Sequence, residues 1–238
     1  MTKALKKIGF VLLGLLGLVA LMCSIAASCV TNSALMEQGF LQYGSTAHLN
    51  LSPTRYGKCA LGIANYLDGK VNEIAHPDDP ATPLFSEDEM LHLHDVRGIV
   101  DGLKAIRWIG GGLTLCGIAA AWFLAQKKKE NTIMQDIWQG FAWASGILFS
   151  LAAGLCIWAL MDFESLFLAF HYVSFSNDLW LMDPNTDLMI ALMPQEFFMW
   201  YGGEMLKSLL PIFGIMLCLI ISWIKVGRKE TEEGKNTK

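Results

Sequence analysis

The chain has 238 residues, 53% of them hydrophobic and 17% charged, with a formal net charge of -4. Nothing in that balance supports nucleic-acid binding, which rests on basic surface. The net figure also hides a segregation, because residues 30–107 and 162–207 hold 17 of the 22 acids but 7 of the 18 Lys and Arg. Six cysteines do not make a disulfide framework. Cys23, Cys116, Cys156 and Cys218 fall in apolar stretches, where a thiol acts as a small apolar side chain, and a bridge between Cys29 and Cys59 is left open.

Four stretches carry no charge: Ile8 to Cys29, Trp108 to Ala125, Ile137 to Met161 and Ser208 to Ile224. Each is near the roughly 17–25 residues needed to cross about 30 Å of hydrocarbon. The expectation is an all-α integral membrane protein, a single membrane domain over 1–238 with four transmembrane helices. Its two extracytoplasmic segments would form a small helical cap and an interfacial helix. Lys3, Lys6 and Lys7 precede the first stretch, Lys127, Lys128 and Lys129 follow the second, and Lys225, Arg228 and Lys229 follow the fourth. The positive-inside rule then makes both termini cytoplasmic and turns 30–107 and 162–207 outward. All five histidines lie in those two segments.

The first stretch has a basic start and ends in Ala26-Ala27-Ser28-Cys29, which resembles the cleavage region of a lipoprotein signal peptide. A membrane span is the better reading, because Ala26 is not a large aliphatic residue and three further spans follow. Gly9, Gly14 and Gly17 are then expected to let helices pack closely.

Residues 30–107 are too long for a simple connector. A short helix is expected over Ser33 to Tyr43, and Ala60, Ile63, Ala64 and Leu67 recur at helical spacing until Gly69. His76-Pro77-Asp78-Asp79-Pro80 through Pro83 is turn-rich, with His76 solvated. Ser86 and Glu89 then form a capping box, with Phe85 and Met90 as its hydrophobic staple, so a helix should begin near Glu87. His92, Val96, Ile99, Leu103 and Ile106 follow one apolar stripe on that helix, whereas His94 falls with Arg97, Asp101 and Lys104 on a polar face. His92 is therefore expected to face the interior, with Asp95 one turn away as its partner, and His94 to face water.

In the second segment Phe163, Phe167 and Phe170 make a helical stripe suited to an interfacial helix, and His171 sits among these aromatics. Desolvation there keeps an imidazole neutral and able to accept a proton. A polar cluster with Asn177, Asp178, Trp180 and Asp183 follows, ending in a turn at Pro184. An apolar run from Asp187 to Met193 then leads toward the last span. The tail, 225–238, reads as a disordered cytoplasmic anchor.

Two motifs, Glu89-Met90-Leu91-His92-Leu93-His94-Asp95-Val96 and the longer run from Phe170-His171-Tyr172-Val173-Ser174-Phe175 to Asp183-Pro184, resemble those of the bacterial lipoprotein intramolecular transacylases. Ile63-Ala64-Asn65-Tyr66-Leu67-Asp68-Gly69 is a weaker match. The resemblance implies a bacterial plasma-membrane enzyme that moves the sn-2 acyl chain of a diacylglyceryl-cysteine lipoprotein onto the cysteine α-amino group, leaving a lyso-lipoprotein. It places the family's two histidines on His92 and His171, with His94 an additional histidine in the motif. Its partners would be diacylated lipoproteins and membrane lipids.

The chemistry is compatible. Ester to amide is downhill, so no nucleotide, metal or other cofactor is required, and two histidines supply a base and an acid. His171 is assigned the amine, and His92, oriented by Asp95, the oxygen side, though the roles can be exchanged. Asn177 is a candidate oxyanion donor. Asp178, Trp180 and Asp183 are expected to shape the site and hold headgroup or ammonium. Two rivals remain at this stage. A metal-dependent lipid hydrolase would need ligands among His92, His94, Asp95 and His171, yet helical residues two apart point about 200° apart. A non-catalytic adaptor or sensor would not need His171. A serine hydrolase lacks its Gly-x-Ser-x-Gly signature.

Overall fold

A computed structural model describes residues 3–128 and 132–236, with side chains described over 4–127 and 132–225. Lys129 lies outside the described residues, and the side chains of Lys3, Lys128, Arg228 and Lys229 lie outside the described set. Helices account for nearly all regular structure: α1 (Lys3–Val30), α2 (Ser33–Tyr43), α3 (Tyr56–Leu67), α4 (Glu87–Lys128), α5 (Ile133–Met161), α6 (Phe163–Ser174), α7 (Leu188–Leu192) and α8 (Gln195–Asn236). Among the described residues the sole β pairing is an isolated bridge between Ala75 and Pro83.

Four helices are long and apolar enough to cross a membrane, Ala4–Val30, Glu87–Lys127, Ile133–Met161 and Gln195–Lys225, holding 18-residue stretches of mean hydropathy 2.6, 1.6, 2.0 and 2.1. Each contains one of the uncharged stretches and overruns it. α8 continues through the tail expected to be disordered, since extending a helix already formed needs no new nucleus.

The chain forms two compact units. The first comprises Met1–Ser24, Ala105–Ile157 and Leu209–Lys238. Many of its large side chains stay substantially exposed, Leu115 at 70% and Leu151 at 61%, as lipid-facing surface requires. Within it α1 and α5 approach so closely that a Cβ at Gly140 would lie 2.5 Å from the Phe10 carbonyl, and one at Gly14 would lie 3.0 Å from the Ala144 Cβ. Gly17 faces Thr114 across a similar gap, whereas a Cβ at Gly9 would meet nothing. Two of the three expected packing glycines therefore have that role, and Gly9 does not. The sequence pattern marks small residues without marking which of them meets a neighbour.

The second unit comprises Ile25–Lys104 and Trp158–Ser208. Asn32 caps α2 by accepting from the Ala34 and Leu35 amides. α3 ends ahead of Gly69, whose φ of +82° suits the residue with no Cβ. Phe40, Tyr56, Ile63, Leu84, Leu93, Met189, Leu192 and Phe197 are buried in one core that draws together α2, α3, the start of α4, α7 and the start of α8. Tyr201 Oη donates to the Cys29 carbonyl at 2.6 Å, tying α8 to the end of α1. Cys29 and Cys59 are both buried free thiols, so the bridge left open by the sequence is not formed.

Gly140→Leu should drive side-chain atoms into the Phe10 backbone and destabilise the protein by about 1–3 kcal/mol. Gly9→Leu should be close to neutral. Thermal unfolding in detergent micelles measures both, and equal melting temperatures for the two variants would contradict the packing described.

Candidate functional site: a stacked histidine pair

The site is built within the second unit from the first turns of α4, from α6 and from the loop after α6. Ser86 and Glu89 close the capping box: the Ser86 amide donates to Glu89 Oε2 at 2.8 Å, and the Glu89 amide to Ser86 Oγ at 3.3 Å. Glu89 does more than cap. It is buried, and its Oε1 accepts from the Met189 amide at 2.6 Å, so one carboxylate fastens the N-terminus of α4 to α7. The cap alone is legible in the sequence, because a partner a hundred residues away leaves no local signal.

One turn further on, His92 is buried at 7% exposure, as is His171 from α6, while His94 is exposed. The His92 and His171 rings stack with centroids 6.3 Å apart and planes inclined by 22°. Phe175 stands edge-on to His92 at 4.9 Å and also contacts His171 at 5.6 Å. Phe167, one turn before His171, lies 4.2 Å from it, and Trp180 packs against it at 4.9 Å. Phe175 was not singled out from the sequence; its place directly after α6 in an aromatic run was the available signal.

The tautomer of His171 follows from its partner. Nδ1 lies 2.7 Å from the Phe167 carbonyl, which can only accept, so Nδ1 carries the hydrogen and Nε2 keeps a lone pair. Desolvation lowers the His171 pKa below its ordinary value, opposed by that hydrogen bond. His92 is pushed down to about 4, chiefly by desolvation and next by the neighbouring His171, with Asp95 acting in the opposite direction. Both rings are therefore neutral near pH 7. His92 Nδ1 is buried without a hydrogen-bond partner.

Trp180 packs against the pair as expected, whereas Asp95 and Asn177 bond each other. Asp95 does not hold His92; its Oδ2 accepts from Asn177 Nδ2 at 2.9 Å. Asn177 thus has one amide hydrogen committed to Asp95, while its Oδ1 accepts from the Leu179 amide, and it acts first as a brace between α4 and the loop. Trp180 is placed by donating Nε1 to the Asn177 carbonyl at 3.0 Å. Asp178 is exposed, and its carbonyl accepts from Leu181 in the loop turn. Asp183 spends its Oδ1 on the Asn185 amide and side chain, which lower its pKa, and contacts neither imidazole. It builds the turn after the site, to which His48 is also fastened through the Pro184 carbonyl. Among the described residues no group of three or more His, Cys, Asp or Glu is placed to hold a metal ion.

A helical membrane protein with two buried, neutral imidazoles stacked in an aromatic pocket is a narrow class. The family model for lipoprotein intramolecular transacylase Lit matches residues 10–198. Among solved structures, the chain is similar to the membrane-integral lipoprotein intramolecular transacylase Lit of Bacillus cereus, with 21% identity and a TM-score of 0.67 over 95% of this chain and 97% of that one. A variant of the same Bacillus cereus protein with a histidine replaced by arginine aligns at 20% identity and a TM-score of 0.60, over 95% of this chain and 94% of that one. No curated protein matches the sequence. The chain belongs to the lipoprotein intramolecular transacylase Lit family, a family of acyltransferases.

The lowered histidine pKa values have a consequence for stability. Between about pH 6.5 and 4 the unfolded chain binds a proton on the His92 imidazole and the folded protein does not, so stability should fall as pH drops through that window, by up to about 1.4 kcal/mol per pH unit. Well above pH 6.5 His92 should contribute no slope, because it is neutral in both states. Detergent unfolding of His92→Asn measured from pH 7 to 4.5 should show a shallower acid decline than wild type, and matching slopes would contradict the neutral buried state of His92.

Proposed function

We propose that the protein transfers the sn-2 acyl chain of a diacylglyceryl-cysteine lipoprotein to the cysteine α-amino group, yielding a lyso-lipoprotein. The observation that carries the reading is the His92–His171 stack, with His171 Nδ1–H held by Phe167 and Nε2 free to accept a proton. His171 takes the proton from the α-amine, whose nitrogen attacks the sn-2 ester carbonyl. The neutral His92 ring, near enough to face the same reacting centre, hydrogen-bonds the carbonyl oxygen as charge develops on it, and the proton taken up by His171 is returned to the departing glycerol oxygen. One C–O bond breaks and one C–N bond forms. Counted from the neutral amine, the proton lost by nitrogen is balanced by the one gained by glycerol, so no cofactor enters.

Asp95, braced by Asn177, and the exposed Asp178 supply negative charge for the substrate while its amine is still an ammonium. Trp180 walls the pair against water. Because donor and acceptor belong to one molecule, catalysis is chiefly the folding of that molecule into an attack geometry. The basic flanks of the crossing stretches support a bacterial plasma-membrane topology with both termini cytoplasmic and the histidines extracytoplasmic, where lipoproteins present their lipid.

The test is tandem mass spectrometry of a lipoprotein's N-terminal peptide from cells with and without this protein. Transfer leaves the intact mass unchanged and moves one acyl group onto nitrogen, which the fragment ions report. The N-acylated fragment should appear with the wild-type protein and fall at least 100-fold for His171→Ala at equal membrane abundance, the size of a lost acid-base group. An acyl group that stays on glycerol in the presence of the wild-type protein would sink the proposal.

A further inference from the structure

Beside the histidine pair lies an open recess of about 370 Å³, lined by His94, Asp95, Gly98, Ser174, Phe175 and Ser176 among others. Phe175 contacts both imidazoles with one face of the site and lines this recess as well. The volume is within the range of small ligand sites, about 300–1,000 Å³. The lining mixes polar side chains with Ile99 and Phe175. The side chains of His94, Ser174 and Ser176 hold no hydrogen bond among the described residues, which suits an occupant with peptide groups and not an acyl chain.

Gly98 is the second observation. It sits in the interior of α4, where glycine costs about 0.5–1 kcal/mol relative to alanine. A Cβ there would meet nothing within 4 Å. No packing among the described residues demands a glycine at this position, and its face of the helix opens onto the recess. A backbone left bare beside a cavity admits close approach by whatever fills that cavity.

We propose that this recess is the subsite for the peptide chain of the substrate, receiving the residues that follow the lipid-bearing cysteine; the inference rests on the transacylase reading above. The α-amine and the peptide carbonyl of that cysteine share one Cα, and each following residue adds about 3.3–3.6 Å when extended. An amine seated at the imidazoles therefore sends its next residues past Phe175 within the reach of His94, Ser176 and Gly98. Specificity for a lipoprotein over a free diacyl lipid then comes from peptide contacts along α4, apart from the reacting atoms.

The experiment compares two substrates in micelles, a diacylglyceryl-cysteinyl hexapeptide and diacylglyceryl-cysteine methylamide, with N-acyl product measured by mass spectrometry. Gly98→Trp fills the recess from α4, and Ser176→Trp fills it from the other wall. Each should raise the KM for the hexapeptide at least tenfold and leave kcat/KM for the methylamide within twofold. Equal loss on both substrates, or no loss on either, while the wild-type protein converts both, overturns the peptide subsite alone. A wild-type protein that converts neither overturns the transacylase reading and the subsite with it.

Discussion

Everything at the site depends on one buried carboxylate. Glu89 accepts from the Ser86 amide through one oxygen and from the Met189 amide through the other. Both amides stand at helix N-termini, where backbone N–H groups lack intrahelical partners and the helix dipole favours negative charge. A carboxylate taken out of water is strongly unfavourable unless its oxygens are satisfied, and here the two helix ends satisfy them. The same bond joins two parts of the chain a hundred residues apart. His92 follows Glu89 by one turn, and His171 belongs to the segment that leads into α7, so the stack inherits its geometry from this clamp and from the brace of Asp95 with Asn177.

The clamp and the stack divide polarity between them. Charge is gathered into groups that are hydrogen-bonded: Glu89 at two amides, Asp95 on Asn177, Asp183 on Asn185. The imidazoles are left among Phe167, Phe175 and Trp180, which donate no hydrogen bond to either ring. Had Asp95 bonded His92 directly, the ion pair would favour the charged imidazolium over the neutral ring. Turning that carboxylate toward Asn177 keeps a negative charge nearby while desolvation still dominates the His92 pKa.

The helix limits that were readable have local causes. The Ser86–Glu89 box and the apolar spacing from Ala60 to Leu67 lie within a few residues of the ends they define, and α2 runs over Ser33–Tyr43 as its pattern indicates. The stripe on α4 told which histidine is buried. It did not tell what surrounds it, since periodicity names a face and not the partner across it. Asp95 illustrates the difference: one turn from His92 in sequence, it bonds a residue 82 positions away. Gly9, Gly14 and Gly17 read alike in the chain, and the approach of α5 separates them.

Intramolecular acyl transfer explains why so little machinery is present. A hydrolase must generate and aim a water molecule, and a two-substrate transferase must hold a second acceptor; here amine and ester arrive on one molecule. Effective molarities of about 10⁵–10⁸ M are available to well-oriented intramolecular reactions, so orientation alone supplies much of the acceleration. What remains is the movement of one proton from nitrogen to oxygen. Two neutral rings in a dry aromatic pocket are suited to that, provided the elements carrying them are held rigidly. This moves the demand from strongly activated side chains to a stiff scaffold, and the buried core beneath the start of α4, with its Glu89 clamp, meets it.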